Sequence, residues 1–258
     1  MKAAALSSGS SGNSFYVEDK EHAVLIDLGI NFKQLNERLE KINRSPEKIR
    51  AIFVTHEHID HIKGLEVFSK NFNVPIFLTK ETANNAFICS TDNSLNFIKN
   101  NETIAINGLN ITAFPKSHDC DNPVSYKIES KKDNKTLTIA TDIGYPCKNV
   151  IENIHDSDFL FFESNHDEEM LKQGSYPYFL KRRILSDRGH LSNIQSSLCV
   201  IQNAKKKLKH IVLSHLSEAN NSPEIAVKTY KKILKARNDL RPKVSVSTRH
   251  NSTKLFDI

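Results

Sequence analysis

Apolar residues in this chain fall into short runs that stop abruptly on a polar or ionisable residue, a rhythm of strands closing into loops. Strands are expected near Lys2 to Leu6, Phe15 to Glu18 and Ala23 to Asp27, then a helix from about Phe32 to Ile42 capped by Asn31. Ala51 to Thr55 reads as a strand, Lys63 to Lys70 as a short helix, and Val74 to Thr79 as a strand, with a helix from Glu81 onwards. Asn107-Gly108, between Thr103 to Ile106 and Leu109 to Phe114, is a strong hairpin signal because type I′ turns favour Asn-Gly. Strands follow near Val124 to Glu129, Thr136 to Thr141 and Phe159 to Glu163, then a helix-rich stretch to Leu185. A helix from Asn193 to about Lys206, a strand Ile211 to Ser214, a helix from Pro223 to about Ala236 and a strand Val244 to Ser247 complete the pattern. Strands that dominate the middle, with helices in both halves, predict an α/β or α+β fold with a sheet core.

The chemistry sits where the apolar runs end. Ala51-Ile52-Phe53-Val54 passes directly into Thr55-His56-Glu57-His58-Ile59-Asp60-His61, which puts three imidazoles and an aspartate at the mouth of a buried strand. The uneven His-x-His-x-Asp-His spacing would not converge on a helix, whereas a strand end entering a tight loop can bring all four side chains to one point. Any one of these histidines is adequately explained by a polar loop; the cluster is not. Three more metal-compatible residues follow the same grammar: His118 after Ile111-Thr112-Ala113-Phe114, Asp142 after Leu137-Thr138-Ile139-Ala140, and His215 after Ile211-Val212-Leu213-Ser214. Imidazole and carboxylate hold Zn²⁺, Mn²⁺ or Fe in open coordination and do not select among them.

Together these segments resemble the complete ligand series of the metallo-β-lactamase-fold hydrolases. The resemblance implies a four-layer αββα sandwich in which His56, His58 and His118 bind one divalent ion, Asp60, His61 and His215 a second, and Asp142 bridges them. Two such ions, Zn²⁺ or Mn²⁺, about 3.5–4 Å apart would supply a bridging hydroxide as nucleophile and clamp substrate oxygens. Ligands that run from His56 to His215 argue for one domain over residues 1–258.

Composition narrows the setting without naming the substrate. With 38% hydrophobic and 26% charged residues the chain has a globular composition, and no apolar run approaches the roughly 20 residues that span a bilayer. The apolar start before Ser7 is too short for a signal peptide, so a cytoplasmic location is expected. Cys89, Cys120, Cys147 and Cys199 form no Cys-x-x-Cys pair and are expected to be reduced. The net charge of +6 suggests an acidic partner, and its distribution says more: Lys181-Arg182-Arg183 and Arg188 cluster just ahead of His190.

Several residues bear on the bond that is broken. The small-residue segment from Ser7 to Ser14, with Ser10 and Asn13, reads either as an anion cradle or as a flexible hairpin loop. Asp27 is a candidate to orient a ligating histidine, with a surface-turn role as the alternative. Glu163 ends the very apolar run Phe159-Leu160-Phe161-Phe162 and needs a partner; His190, next to a helix that Ser192 or Asn193 would cap, is the candidate. A glutamate that orients and charges a histidine suits it to protonate a leaving oxygen.

A histidine placed ahead of the last metal histidine is similar to the nuclease branches of the superfamily. Ser164-Asn165-His166-Asp167, Ser175-Tyr176-Pro177, Lys181-Arg182-Arg183-Ile184 and Gly189-His190-Leu191-Ser192-Asn193 more specifically resemble the WalJ (YycJ)-type subfamily of metal-dependent exonucleases. The resemblance implies a phosphodiesterase acting 5′ to 3′ on DNA rather than RNA, with Glu163-oriented His190 as general acid, Asp60 also at the reaction centre, and Ser10, Asn13, Lys181, Arg182, Arg183, Ser192 and Asn193 binding substrate. Only residues 143–189 separate Asp142 from His190, which leaves no room for the extra domain of the large RNA-processing members. A thioesterase or lactonase, or a regulatory subunit that binds metal without catalysis, are the alternatives. His166 is either a pocket residue or a solvent-facing loop residue.

Overall fold

The strands near the middle of each sheet are apolar on both faces, so each sheet has to be covered on both sides. The computed structural model describes residues 1–20, 22–86 and 94–258. Strands β1 (Lys2–Ser7), β2 (Ser14–Asp19) and β3 (His22–Ile26) form an antiparallel meander. Helix α1 (Phe32–Lys41) carries the chain back so that β4 (Ile49–Phe53) lies parallel to β3. Helices α2 (Ile59–Ile62) and α3 (Leu65–Asn71) lead to β5 (Ile76–Leu78), and α4 (Lys80–Asn85) precedes β6 (Leu95–Phe97), both strands again parallel to their neighbours.

The second sheet repeats that plan. Strands β7 (Thr103–Ile106), β8 (Leu109–Pro115), β9 (Val124–Ser130) and β10 (Lys135–Ala140) are antiparallel. After α5 (Lys148–His155), β11 (Phe159–Glu163) joins β10 in parallel. Helices α6 (Glu168–Gln173), α7 (Tyr178–Ile184) and α8 (Asn193–Asn203) then precede β12 (His210–Ser214), and α9 (Pro223–Leu234) precedes β13 (Lys243–Val246), both parallel additions. The chain ends by returning β14 (Phe256–Asp257) to the free edge of β1. Among the described residues the sheet orders are β14-β1-β2-β3-β4-β5-β6 and β13-β12-β11-β10-β9-β8-β7.

Alternation along the strands sorts the core into three layers. Val24, Ile26, Phe53, Tyr126, Phe159 and Phe161 meet between the sheets. Leu25, Ile52 and Leu6 point outward onto Leu35 and Leu39 of α1 and Phe68 of α3. Leu160, Phe162 and Leu213 point onto α5, α8 and α9. The result is the αββα sandwich.

Local chemistry sets the element ends. Asn31 and Gln34 close a capping box on α1, and Ser192 and Gln195 do the same on α8. Asn107 (φ 45°) and Gly108 (φ 95°) make the expected hairpin turn. The helix expected at Lys63 to Lys70 is broken at Gly64, whose N–H is taken by Leu28 O at 2.8 Å. The strand expected to reach Thr55 stops at Phe53. The Thr55 N–H turns to Asp27 Oδ1 at 2.8 Å instead of a strand partner. Helix α5, β6 and β14 are additions to the pattern read from sequence. The continuation of the helix after α4, and Cys89 with it, lie outside the described residues, while Cys120, Cys147 and Cys199 are unbridged. No helix among the described residues is long and apolar enough to cross a membrane.

Candidate metal centre

Strand polarity explains why distant residues meet. Antiparallel pairing through β9 makes β8 and β10 co-directional, and β11 and β12 extend that direction, so β8, β10, β11 and β12 end on the same edge. His118, Asp142, Glu163 and His215 all lie at or beyond those ends. In the other sheet β3 and β4 end side by side, which sets Asp27 against Thr55 and the histidine loop. The two edges touch through His61 Nε2 and Asp142 Oδ2, 3.4 Å apart.

Four groups of donors converge here. The ligand atoms of His56, His58 and His118 all lie within 4.8 Å of one another, as do those of Asp60, His61 and His215. His56, His61 and Asp142 form a third such group, and Asp142, Glu163, His190 and His215 a fourth. Asp142 stands between the first two: His215 Nε2 is 3.3 Å and His118 Nε2 is 3.9 Å from its Oδ1. Asp27, Asp142 and His215 all adopt left-handed backbone (φ 60°, 58° and 57°), an uncommon conformation for these residues that turns each chain sharply at a strand end.

The imidazoles are wired in one sense. The Thr55 hydroxyl donates to Asp27 Oδ2 at 2.9 Å, which leaves its oxygen to accept from His56 Nδ1 at 2.8 Å. His61 Nδ1 donates to Asp27 Oδ2 at 2.7 Å, His118 Nδ1 to the Gly189 carbonyl at 3.3 Å, and His215 Nδ1 to Glu163 Oε1 at 3.1 Å. In each ring Nδ1 is committed outward and Nε2 is the nitrogen turned into the cluster, the side a metal ligand uses. His58 differs, its Nδ1 lying 3.1 Å from His56 Nε2. Asp142 Oδ2 and His215 Nε2 are buried with no hydrogen-bond partner, as expected of atoms shaped for an ion.

Electrostatics divide the imidazoles: burial lowers His56 and His118, whereas at His61 and His215 burial is outweighed by Asp27, Asp142 and the neighbouring carboxylates, which raise both rings and favour a charge that a bound cation would displace. Burial pushes the His118 imidazole down to about 3, so it is neutral at pH 7. Burial opposes the charge on Asp142, but His215, His61 and Lys116 outweigh it and hold the carboxyl well below the usual range. Glu163 is buried too, and the His190 charge with hydrogen bonds from His190 and His215 brings it down to about 2.

Glu163 proves more than a partner for His190. His190 Nδ1 lies 2.9 Å from its Oε1, while the same carboxylate accepts from the backbone N–H of Asp142 at 3.1 Å, Ile143 at 2.9 Å and Leu191 at 3.0 Å. With His215 it therefore has five donors and ties three loops together. His190 Nε2 is the ring nitrogen left for a substrate.

The expected substrate contacts divide. Ser10 is exposed, but the N–H groups of Ser8, Gly9, Gly12 and Asn13 are all bonded internally, so these four do not form the expected anion cradle. The Asn13 side chain is buried, its amide nitrogen 3.1 Å from both Asp60 Oδ2 and His61 Nε2, and so bears on the ligands. Ser192 is spent on the α8 cap and on Glu168 Oε1 at 2.7 Å. Asn193 is spent on Ser164 and Asn221, which leaves neither side chain open to a substrate. Lys181 donates to the Lys172 carbonyl at 2.8 Å, Arg182 is exposed, and Arg183 pairs with Asp119.

Two residues of the site gain meaning only in three dimensions. Asp119 Oδ1 lies 3.2 Å from His118 Nε2 and 3.9 Å from His58 Nε2, and its aspartate follows the ligand directly in the chain. His166 is only 1% exposed, which removes the solvent-facing alternative, and neither ring nitrogen has a hydrogen-bond partner. Burial pushes its imidazole down to about 4.

Known proteins share this architecture. A family model described as a beta-lactamase superfamily domain matches residues 22–215. An exodeoxyribonuclease WalJ of Streptococcus pneumoniae is 37% identical over 88% of this chain and 85% of its own length. An exodeoxyribonuclease YycJ of Bacillus anthracis is 34% identical over 90% of this chain and 88% of its own. The crystal structure of the metallo-beta-lactamase fold protein YhfI from Bacillus subtilis superposes with a TM-score of 0.74 over 98% of both chains at 13% identity, a likeness of fold.

Proposed function

Because the chain belongs to the beta-lactamase superfamily, and within it beside the WalJ and YycJ relatives, we propose that it is a two-metal phosphodiesterase that degrades DNA from 5′ ends. The observation that carries this reading is the Glu163–His190 pair, 2.9 Å apart at the rim of the ligand cluster, which supplies a proton donor beyond the ligand set. The names of the two relatives support DNA, and the sequence resemblance supports the direction.

His56, His58 and His118 would hold one ion, Asp60, His61 and His215 the other, with Asp142 shared. Divalent ions, when bound, supply Lewis acidity and activate water near neutral pH. Around them the chain's own groups do the rest. Glu163 holds the Nδ1 side of His190 and keeps Nε2 free to pass its proton to the departing 3′ oxygen. Asn13 steadies Asp60 and His61, and Lys181, Arg182 and Arg183 provide positive charge for flanking phosphates. The domain works as one unit over residues 1–258, in the cytoplasm.

The test is a substrate panel for the Mn²⁺- and Zn²⁺-loaded protein: bis-p-nitrophenyl phosphate, an aryl thioester, a lactone, and DNA and RNA oligonucleotides labelled at either end. Phosphodiester cleavage with stepwise release from the 5′ end of DNA is expected. Turnover of the thioester or lactone alone would replace this reading with an acyl hydrolase, and no turnover of any substrate would leave a metal-binding regulatory subunit.

A further inference from the structure

Helix α7 presents a solvent face that is at once aromatic and cationic. Tyr178 and Phe179 are 76% and 73% exposed, more than any other large hydrophobic side chain among the described residues, and Leu185, at the end of the same helix, is 61% exposed. At helical spacing Tyr178 and Arg182, and Phe179 and Arg183, are neighbours along that face. The Arg182 guanidinium lies 5.9 Å from the Tyr178 ring centroid. Ile184, on the opposite side, is buried and anchors the helix. Single exposed apolar residues are ordinary, but adjacent aromatics extended by Leu185 form a patch of the kind that marks a binding surface.

This face leads to the metal centre. The Ile184 carbonyl accepts from His190 N at 2.9 Å, and a Cβ on Gly189 would meet that carbonyl at 2.1 Å, so the His190 loop is pressed against the end of α7. Arg183 pairs with Asp119, whose other carboxylate oxygen is 3.2 Å from His118 Nε2. The C-terminal end of α7 therefore abuts the site, with Tyr178 and Phe179 about one to two turns further out on the same short helix.

We propose that Tyr178 and Phe179 form a stacking platform for unpaired bases of the substrate, with Arg182 beside them for the phosphates; the proposal rests on the phosphodiesterase reading and narrows it to single-stranded or frayed nucleic acid. The charge favours a polyanion over an apolar protein surface, and the aromatic rings favour one whose bases are unstacked. Base–aromatic stacking tolerates any sequence because every base offers a π-face. A duplex keeps those faces inside its own stack, so the platform selects for strand separation.

The experiment uses the Mn²⁺-loaded full chain and a single-stranded phosphorothioate-linked oligonucleotide of about 12 nucleotides, beside an abasic chain of equal length. The Tyr178→Ala/Phe179→Ala protein should bind the base-bearing oligonucleotide about ten-fold or more weakly than the wild type, with binding to the abasic chain unchanged. Tyr178→Trp/Phe179→Trp should restore binding. Hydrolysis of bis-p-nitrophenyl phosphate, which spans a single diester, should be equal in all three proteins. If the alanine protein binds the base-bearing oligonucleotide as the wild type does, or the wild type does not distinguish it from the abasic chain, the platform is wrong and the face is open to a protein partner. If binding falls as expected but no protein cleaves any diester, the stacking stands and only the phosphodiesterase reading fails.

Discussion

The carboxylate of Asp27 lies 2.7 Å from Nδ1 of His61, and that bond decides which nitrogen of His61 faces the opposite sheet. With Nδ1–H held by Asp27, Nε2 is the nitrogen that faces Asp142 Oδ2, 3.4 Å away. The consequence is that a residue outside the donor cluster orients one of the proposed ligands. Asp27→Asn keeps the size and tolerates the left-handed backbone at φ 60°, but its amide can present a donor to Nδ1 and so place the proton on Nε2. Metal affinity should fall about 10- to 100-fold, read by titration and by elemental analysis after dialysis. Unchanged affinity would show that Asp27 does not set the ring.

Glu163 and His190 should separate when mutated singly. His190→Ala leaves Glu163 with His215 and three backbone donors, so metal content and melting temperature should hold while diester hydrolysis falls about 10²-fold or more. Glu163→Gln turns a fully buried acceptor for five donors into a group that is half donor, and should cost about 2 kcal/mol or more of stability along with activity. Urea unfolding read beside initial rates distinguishes the two. A His190→Ala protein with wild-type rates would remove the proton-donor role.

Gly29 makes the case for backbone control of the second ligand group. A Cβ there would meet the Asp60 carbonyl at 1.6 Å, and that carbonyl also accepts from Asn13 N at 2.7 Å. Gly29→Ala must therefore shift Asp60 and His61, with an expected stability loss of about 1–3 kcal/mol and reduced metal occupancy. Asn31→Ala, two residues on, removes the α1 cap and should cost about 1 kcal/mol with metal content intact. Equal occupancy in the two variants would mean that the site absorbs the displacement.

What the sequence makes legible is the convergence of the donor side chains, because each follows an apolar run and strand ends on one edge converge. His56, His118, Asp142 and His215 needed only that rule. Asp119, Tyr178 and Phe179 escaped it for a physical reason: an aspartate beside a ligand and aromatics in a short helix look like ordinary loop and core residues until tertiary packing shows one facing imidazoles and the others facing solvent. Ser192 and Asn193 misled in the opposite sense. Their residue types suit a phosphate as well as a helix cap, and only the fold shows the cap and the buried amide network taking both side chains. Short β6 and β14 owe their conformation to a neighbouring strand edge, so their own patterns carry little signal.

The acid response of the fold should be governed in part by an ion pair with no ligand in it. Glu18 on β2 is buried, accepts from the Tyr16 hydroxyl at 2.7 Å, and is held by Arg44 through Nε at 2.6 Å and a second guanidinium nitrogen at 2.5 Å. Burial opposes the charge, but the Arg44 and Tyr16 hydrogen bonds outweigh it and keep the carboxyl below its ordinary value of 4.5. A carboxyl lowered on folding gives stability that is complete above the unfolded value and drains away as pH falls from 4.5 through the folded one. Arg44→Met removes the guanidinium from a buried carboxylate that keeps the Tyr16 hydroxyl and the Lys48 charge, and should cost about 2 kcal/mol near neutral pH. Once Glu18 is protonated in both proteins the pair no longer matters, so the gap between their urea midpoints should narrow below 4.5. A gap that stays constant into that acid range would assign the loss to packing of the Arg44 stem rather than to its charge.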